Sequence, residues 1–377
     1  MMDPFSAYAP AASDGLDGED MNCPIDTVYE KTADGFRISE ADALRLLTEA
    51  DFLTLGRLAQ KRAAAFHPPD RATFQIDRNI NYTNICVSKC RFCAFYREKG
   101  DPEAYLLSVD DIIEKVSDAV SRGATQIMLQ GGLHPDLDIA YLETVFSMIK
   151  ERFAVCLHSL SPPEISHLSR LSGLTVKRVL ERLHAAGLDS LPGGGAEILT
   201  DRVRGIVSPH KISAQTWLDV METAHQAGLK ATATMMMGSI ETAEERVEHF
   251  SRIRQLQDRT GGFRAFIPWT FKPGNTDLAC EELSSVEYLR TLAVARIFFD
   301  NIENIQGSWV TQGKDIGQMS LFFGANDLGS IMLEENVVKA AGASNRISEE
   351  EMVDLIRRAG REPAQRNTQY SIIRVYD

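Results

Sequence analysis

The residues with the most evident chemistry are three cysteines within eight positions, Cys86-Val-Ser-Lys-Cys90-Arg-Phe-Cys93. Three thiolates on one short loop can bind three irons of a cubane iron–sulfur cluster and leave the fourth iron open to a small molecule. Two other uses fit the same spacing. Positions i, i+4 and i+7 share a helix face, where cysteines serve as small buried hydrophobes. Against this stand the preceding polar run Asn81-Tyr82-Thr83-Asn84 and the charges of Lys89 and Arg91. A zinc ion would need a fourth ligand, for which His134 or His158 is available, although zinc loops usually pair two C-x2-C units. The remaining cysteines, Cys23, Cys156 and Cys280, are scattered. That is not a disulfide framework, and it points to a reducing, cytoplasmic setting.

These residues need elements to hold them. Short apolar runs read as strands at 75–81, 126–129, 154–159, 188–191, 230–237, 263–268 and 304–310, with a further turn of the series near 323–328. Amphipathic stretches at 109–122, 139–152, 214–227, 243–260 and 286–300 read as helices, several followed by Gly as a C-cap. Repeated β–α units imply a parallel sheet covered by helices. Seven or eight units suit a (β/α)8 barrel, with a doubly wound open sheet as the alternative. Cysteines, glycines, histidines and amides gather just after the strands, where a barrel would converge them on one face. Ahead of the barrel (71–377), residues 1–35 read as a flexible tail and 36–70 as a helical hairpin. The stretch 349–360 reads as a last helix closing the barrel.

The bulk numbers limit the partners. The chain has 377 residues, enough for one large barrel, and a formal net charge of −13. Nucleic acid and anionic membranes reward basic surfaces, so neither is expected as a partner. No run of about 18 apolar residues is present, and the acidic N-terminus lacks the form of a secretory signal.

The cysteine spacing, with Phe92 directly before the last cysteine, resembles the radical S-adenosylmethionine (radical SAM) superfamily. The resemblance implies a 4Fe–4S cluster on Cys86, Cys90 and Cys93. The open iron would chelate the amino and carboxylate groups of S-adenosylmethionine, which reductive cleavage converts to a 5′-deoxyadenosyl radical. It also implies that Gly131-Gly132 meets the methionine moiety, since glycine allows close backbone approach. Gly238-Ser-Ile-Glu241 looks like the end of the superfamily's adenine-contacting motif, with Thr234 in place of that motif's first glycine. Glu197 could accept from a ribose hydroxyl or serve as the first-turn acid of the next helix.

From about Asp77 onward the chain is similar to one group in the superfamily, the enzymes of the futalosine route to menaquinone and the related deazaflavin synthases. Leu129-Gln-Gly-Gly-Leu-His134-Pro, Gly193-Gly-Gly-Ala-Glu197, Ile267-Pro-Trp269-Thr-Phe271, Ser308-Trp309-Val-Thr311-Gln312-Gly and Gly324-Ala-Asn326-Asp327 carry this likeness. The tryptophans tilt it toward the cyclases acting on dehypoxanthine futalosine, a ribose joined through a ketone linker to a benzoate. The implied reaction removes hydrogen from ribose C4′, joins that carbon to the benzoate ring as a spiro ring, and loses an electron and a proton. An external one-electron donor such as flavodoxin or ferredoxin is implied. Within this reading Thr311, Gln312, Asn326 and Asp327 suit ribose hydroxyls, and Trp269 or Trp309 could stack on the benzoate. His134 and His158 are candidates for the final proton. Aminofutalosine synthase and deazaflavin synthase chemistries are the near rivals; a zinc-stabilised binding protein and a metal-free barrel enzyme are the distant ones.

Overall fold

Short extended runs form the strands. In the computed structural model, which describes residues 24–376, these are β1 (Arg71–Gln75), β2 (Asp77–Ile80), β3 (Gln126–Leu129), β4 (Cys156–Leu157), β5 (Ser190–Leu191), β6 (Lys230–Met237), β7 (Phe263–Thr270), β8 (Asn304–Ile305), β9 (Asp327–Ser330), β10 (Glu362–Arg366) and β11 (Ile372–Val375). Three sheets form, ordered β2-β3-β4, β5-β6-β7-β8 and β11-β10-β1-β9. Single bridges join them: His158 to Ser190 between β4 and β5, and Gln306 to Asp327 between β8 and β9. β9 pairs in parallel with β1, and just past it Leu333 N–H donates to Asp77 O at the start of β2. With β1 and β2 taken as one strand broken at Ile76, eight parallel positions follow one another around a (β/α)8 barrel.

The helices stop and start where side chains satisfy their open ends. Ala243–Thr260 begins at a capping box between Thr242 and Glu245 and ends at Gly261, at φ 56°. Val109–Ser121 and Glu349–Arg358 begin at similar boxes, on Ser108 and Ser348. The helices Glu40–Thr48 and Phe52–Ala63 occupy the region read as a hairpin. They pack on the outer barrel helices Ala243–Thr260 and Ser285–Phe298. Among the described residues no helix is long and apolar enough to cross a membrane.

Several local expectations change. Ile25–Ala33 is helical, with Val28 and Thr32 buried, where composition suggested flexible chain; residues 1–23 of that tail lie outside the described residues. The strand expected over 304–310 stops at Ile305. Trp309–Gln312 turns as helix instead, because the Trp309 indole donates inward to Ser330 O at 3.0 Å. Phe323 follows a helix, and β9 starts only at Asp327. β10 and β11 had no sequence signal. β10 pairs in parallel with β1, and the segment after it runs under the N-terminal strand ends, where Thr368 Oγ1 donates to Gln126 Oε1 at 2.9 Å. This segment gives the barrel a floor.

Candidate functional site

The cysteine loop leaves β2 and is pinned along its length. Cys86 N–H donates to Arg97 O, Val87 N–H to Leu133 O, and Arg91 N–H to Val207 O. Lys89 takes a left-handed φ of 46°, a strained turn that brings Cys90 inward. Cys86, Cys90 and Cys93 all line one chamber of about 230 Å³, together with Gly131, Gly132 and Glu164. Burial pushes the Cys90 thiol up to about 12, although Lys211 pulls it back, and burial raises Cys93 as well.

The chamber fits an iron–sulfur cluster on two counts besides the thiols. At Gly132 a Cβ would stand 2.2 Å from Ile85 O and 3.0 Å from Cys86 Cβ, so only glycine lets the two loops meet. Lys211 is buried beside the thiols, 5.1 Å above the Phe92 ring and 2.8 Å from Glu197 Oε1. Burial alone would lower its pKa, but Cys90 and Glu197 outweigh it and hold the ammonium charged. A fixed cation there offsets the negative charge that thiolates and cluster bring. Among the described residues no three His, Cys, Asp or Glu side chains converge on a single metal-ion position. Neither His134 nor His158 lines the thiol chamber, so neither is placed as the fourth ligand zinc would require.

Glu197 sits at φ 43° before the helix Asp201–Val207, not within its first turn, and its carboxylate points inward to Lys211 and Arg204. It lines the thiol chamber and also a second cavity of about 280 Å³. Gln130, Gly194, Gly195, Trp269 and Val337 are likewise shared, so the two spaces adjoin. Glu164, with no sequence signal, accepts from Tyr82 Oη (2.7 Å), Gly131 N (3.0 Å) and Ser161 Oγ (2.5 Å). Burial lifts its pKa to about 7 against those three donors.

The other expected residues divide. Thr311 lines the second cavity, and so does His158, whose Nδ1 shares a 2.7 Å hydrogen bond with Ser190 Oγ. Burial, helped by Arg264 and Arg366, pushes the His158 imidazolium down to about 3. His134 is not brought to either of these spaces; its Nδ1 accepts from Asp136 N–H on the far side of the Gly131-Gly132 loop. Trp309 is buried and committed to Ser330 O. Gln312 donates to Thr270 Oγ1. Asn326 accepts from Arg296 and Ile305 N–H and donates to Asn304. Asp327 pairs with Arg366 and Thr73. None of these four lines the cavity, because buried cations or backbone groups elsewhere claim them. Glu241 folds back on its own loop, accepting from Gly238 N, Ser239 N and Arg246, and neither Gly238 nor Glu241 lines either space.

What sequence reading missed is the floor: Gln75, Asp77, Gln126, Arg264, Arg366 and Tyr370. One signal was available. Gln75, Asp77 and Asn79 alternate as polar residues along a strand, all facing inward, where a packed barrel would place apolar ones.

Residues 80–253 match the radical SAM superfamily and residues 260–376 match the CofH/MqnC C-terminal region. A cyclic dehypoxanthine futalosine synthase of Streptomyces coelicolor is 48% identical over 358 residues, covering 94% of this chain and 90% of that relative. The chain belongs to the radical SAM superfamily. It is an enzyme of that superfamily, and membership brings with it a 4Fe–4S cluster and S-adenosylmethionine. A 5-amino-6-(D-ribitylamino)uracil–L-tyrosine 4-hydroxyphenyl transferase of Methanococcoides burtonii is 40% identical over 360 residues, 93% of this chain and 99% of that relative. The crystal structure of methylornithine synthase has the same fold, with a TM-score of 0.72 at 18% identity over 89% of this chain and 97% of that one. The two matched segments divide the site. The radical SAM segment carries the thiols, the glycine pair and Glu197, whereas Trp269, Thr311, Arg366 and Tyr370 come from the C-terminal region.

Proposed function

We propose that this radical SAM enzyme cyclises dehypoxanthine futalosine in menaquinone biosynthesis, joining ribose C4′ to the benzoate ring as a spiro ring. The observation that carries the reading is the 48% identity to a cyclic dehypoxanthine futalosine synthase along nearly the whole of both chains. The site agrees with it in shape. The two adjoining spaces run from the thiols, past Glu197 and Trp269, to a polar floor, and an elongated molecule spanning them would have one end at the thiol chamber.

Cys86, Cys90 and Cys93 would hold the cluster, and Phe92, Gly131, Gly132 and Glu197 would surround S-adenosylmethionine. Bound there, the pair supplies a carbon radical able to abstract an unactivated hydrogen. The protein's part is to hold C4′ and the ring together while keeping other hydrogen donors away. Orientation of this kind is worth on the order of 7–11 kcal/mol when the reacting atoms are held in near contact. Trp269, at the junction of the two chambers, bounds the part of the ligand nearest the thiols, and Thr311 offers a hydroxyl to the sugar. His158 stays neutral and serves as a hydrogen-bonding wall. A proton on it would sit beside Arg264 and Arg366, so it is a poor acceptor for the final proton. An external one-electron carrier of the flavodoxin or ferredoxin kind supplies the electron.

The 40% identity to the tyrosine transferase of Methanococcoides burtonii supports a second reading, radical chemistry on tyrosine and a ribitylaminouracil. Anaerobic assays with the reconstituted protein separate the two. Dehypoxanthine futalosine should yield a product lacking two hydrogens, with one 5′-deoxyadenosine per turnover. Coupling of tyrosine to the aminouracil instead would replace the first reading with the second.

A further inference from the structure

The floor of the second cavity holds two guanidinium groups in different states. Arg366 is fully engaged. Its Nε and Nη2 meet Asp327 at 2.5 and 2.9 Å, its Nη1 meets Gln75 Oε1 at 2.7 Å, and its plane lies 3.8 Å from the Tyr370 ring centre. Arg264, the second residue of β7, makes one side-chain hydrogen bond, Nη1 to Thr368 O at 3.2 Å, and pairs with no carboxylate among the described residues. Burial pulls its pKa down, yet a guanidinium does not lose its proton in a protein. The acids around it are committed: Asp189 to Lys150 and Leu157 N–H, and Asp327 to Arg366. Asp77 has Oδ2 held by Gln75 and Gln126, while burial raises its pKa toward the neutral form. A half-buried cation left unpaired in a cavity is costly unless a ligand supplies the anion.

We infer that Arg264 is the seat for the carboxylate of an aryl-carboxylate ligand, which stands upright in the barrel with its acid at the floor. Met128, Ile267, Val310 and Met332 line the same cavity and offer apolar surface against which a ring can pack, among polar side chains such as Gln306 and Thr232. Arg264 and Trp269 lie five residues apart on β7, a rise of about 16 Å. A benzoate on Arg264 therefore directs the rest of the molecule toward the thiol chamber. Asn79 Oδ1 and Asp77 Oδ1, buried on the cavity wall without partners, remain for the ligand's donors. Arg264 is in this sense a specificity residue. The inference rests on the cyclase reading for the identity of the benzoate, but the seat itself can be tested without turnover.

The experiment is calorimetric titration of the reconstituted full chain with 3-acetylbenzoate, its carboxamide and L-tyrosine. Wild type should prefer the benzoate over both by at least tenfold. Arg264→Gln should erase that preference, and Arg264→Lys should keep part of it. If the Gln variant fails to fold, the wild-type comparison alone still decides: equal affinity for benzoate and benzamide overturns the seat. Tyrosine binding as tight as benzoate, and dependent on Arg264, overturns the aryl assignment. Turnover of dehypoxanthine futalosine by a protein that shows no carboxylate preference would defeat this inference while leaving the cyclase reading intact. The converse pattern would defeat only the cyclase reading.

Discussion

Gly132→Ala is the sharpest test of how the thiol chamber is built. The added Cβ would stand 2.2 Å from Ile85 O and 2.7 Å from Ile85 C. Ordinary carbon–oxygen contact is about 3.3 Å, so something must yield by roughly 1 Å. Both chains are fixed: Gly132 N–H donates to Thr83 O at 2.9 Å, Cys86 N–H donates to Arg97 O at 3.1 Å, and Ile85 itself bridges to Arg97. The displacement therefore falls on the Ile85–Cys86 backbone. Gly132 is not left-handed, so the effect is steric alone. Overpacking of this kind costs about 1–3 kcal/mol, or roughly 1–4 °C in melting temperature for a chain of this size. The functional effect should be larger, because about 1 Å at a ligand is several times the ~0.2 Å within which metal–ligand distances are held. Iron per chain after anaerobic reconstitution should fall from about four to under one, and the reduced-cluster paramagnetic signal should vanish. Gly205→Ala is the control. Its Cβ meets nothing within 4 Å in the helix Asp201–Val207, and it should keep full iron with a stability gain of about 0.5–1 kcal/mol. Full iron and an unaltered spectrum in Gly132→Ala would refute the idea that this contact sets the position of Cys86.

Three other perturbations test the charges around the site. Lys211→Met leaves Glu197 buried with only Arg204 at 3.4 Å, and should cost about 3–5 kcal/mol in denaturant unfolding. The double variant with Glu197→Gln should recover most of that loss; strict additivity would mean the pair is not coupled. His158→Gln should leave cyclisation within a few-fold of wild type and should not remove a limb of the pH–rate profile between pH 5.5 and 8. His158 is neutral throughout that range, and a lost limb there would restore it as the proton acceptor. Glu164 has a folded pKa raised by burial to about 7, so the native state holds more protons than the unfolded chain between pH ~4.5 and ~7. Its contribution is fullest below that window and declines by about 3 kcal/mol as pH rises through it. Measured against Glu164→Gln, wild-type stability should fall from pH 5 to 8. A rise would mean that the three donors from Tyr82, Gly131 and Ser161 outweigh burial.

The pattern of what could be read from sequence follows from how far apart partners lie. The cysteine loop was legible because its chemistry is local: three thiols, a turn and a glycine pair whose spacing survives folding. β3 and β6 were legible because a continuous apolar run between capped helices has few alternatives. Asn326, Asp327, Gln312 and Trp309, expected as ligand contacts, have protein partners instead for a common reason. A polar group at a strand end faces either a ligand or a distant protein group, and sequence spacing does not distinguish them. Asp327 meets Arg366, Asn326 meets Arg296, and Trp309 meets Ser330, all pairings that only the closed barrel creates. The same fact turns into a method once the partners are known. Strand-end polar groups that the protein satisfies drop out as structural, and those it leaves open stand out. Arg264, Asp77 Oδ1 and Asn79 Oδ1 are among the groups left with spare bonding capacity. They line one cavity, below the thiols, partly on the segment that the C-terminal family contributes. On the proposed reading, the radical-generating half of this enzyme is recognised by spacing, and its substrate-reading half by polar groups whose bonding the fold leaves incomplete.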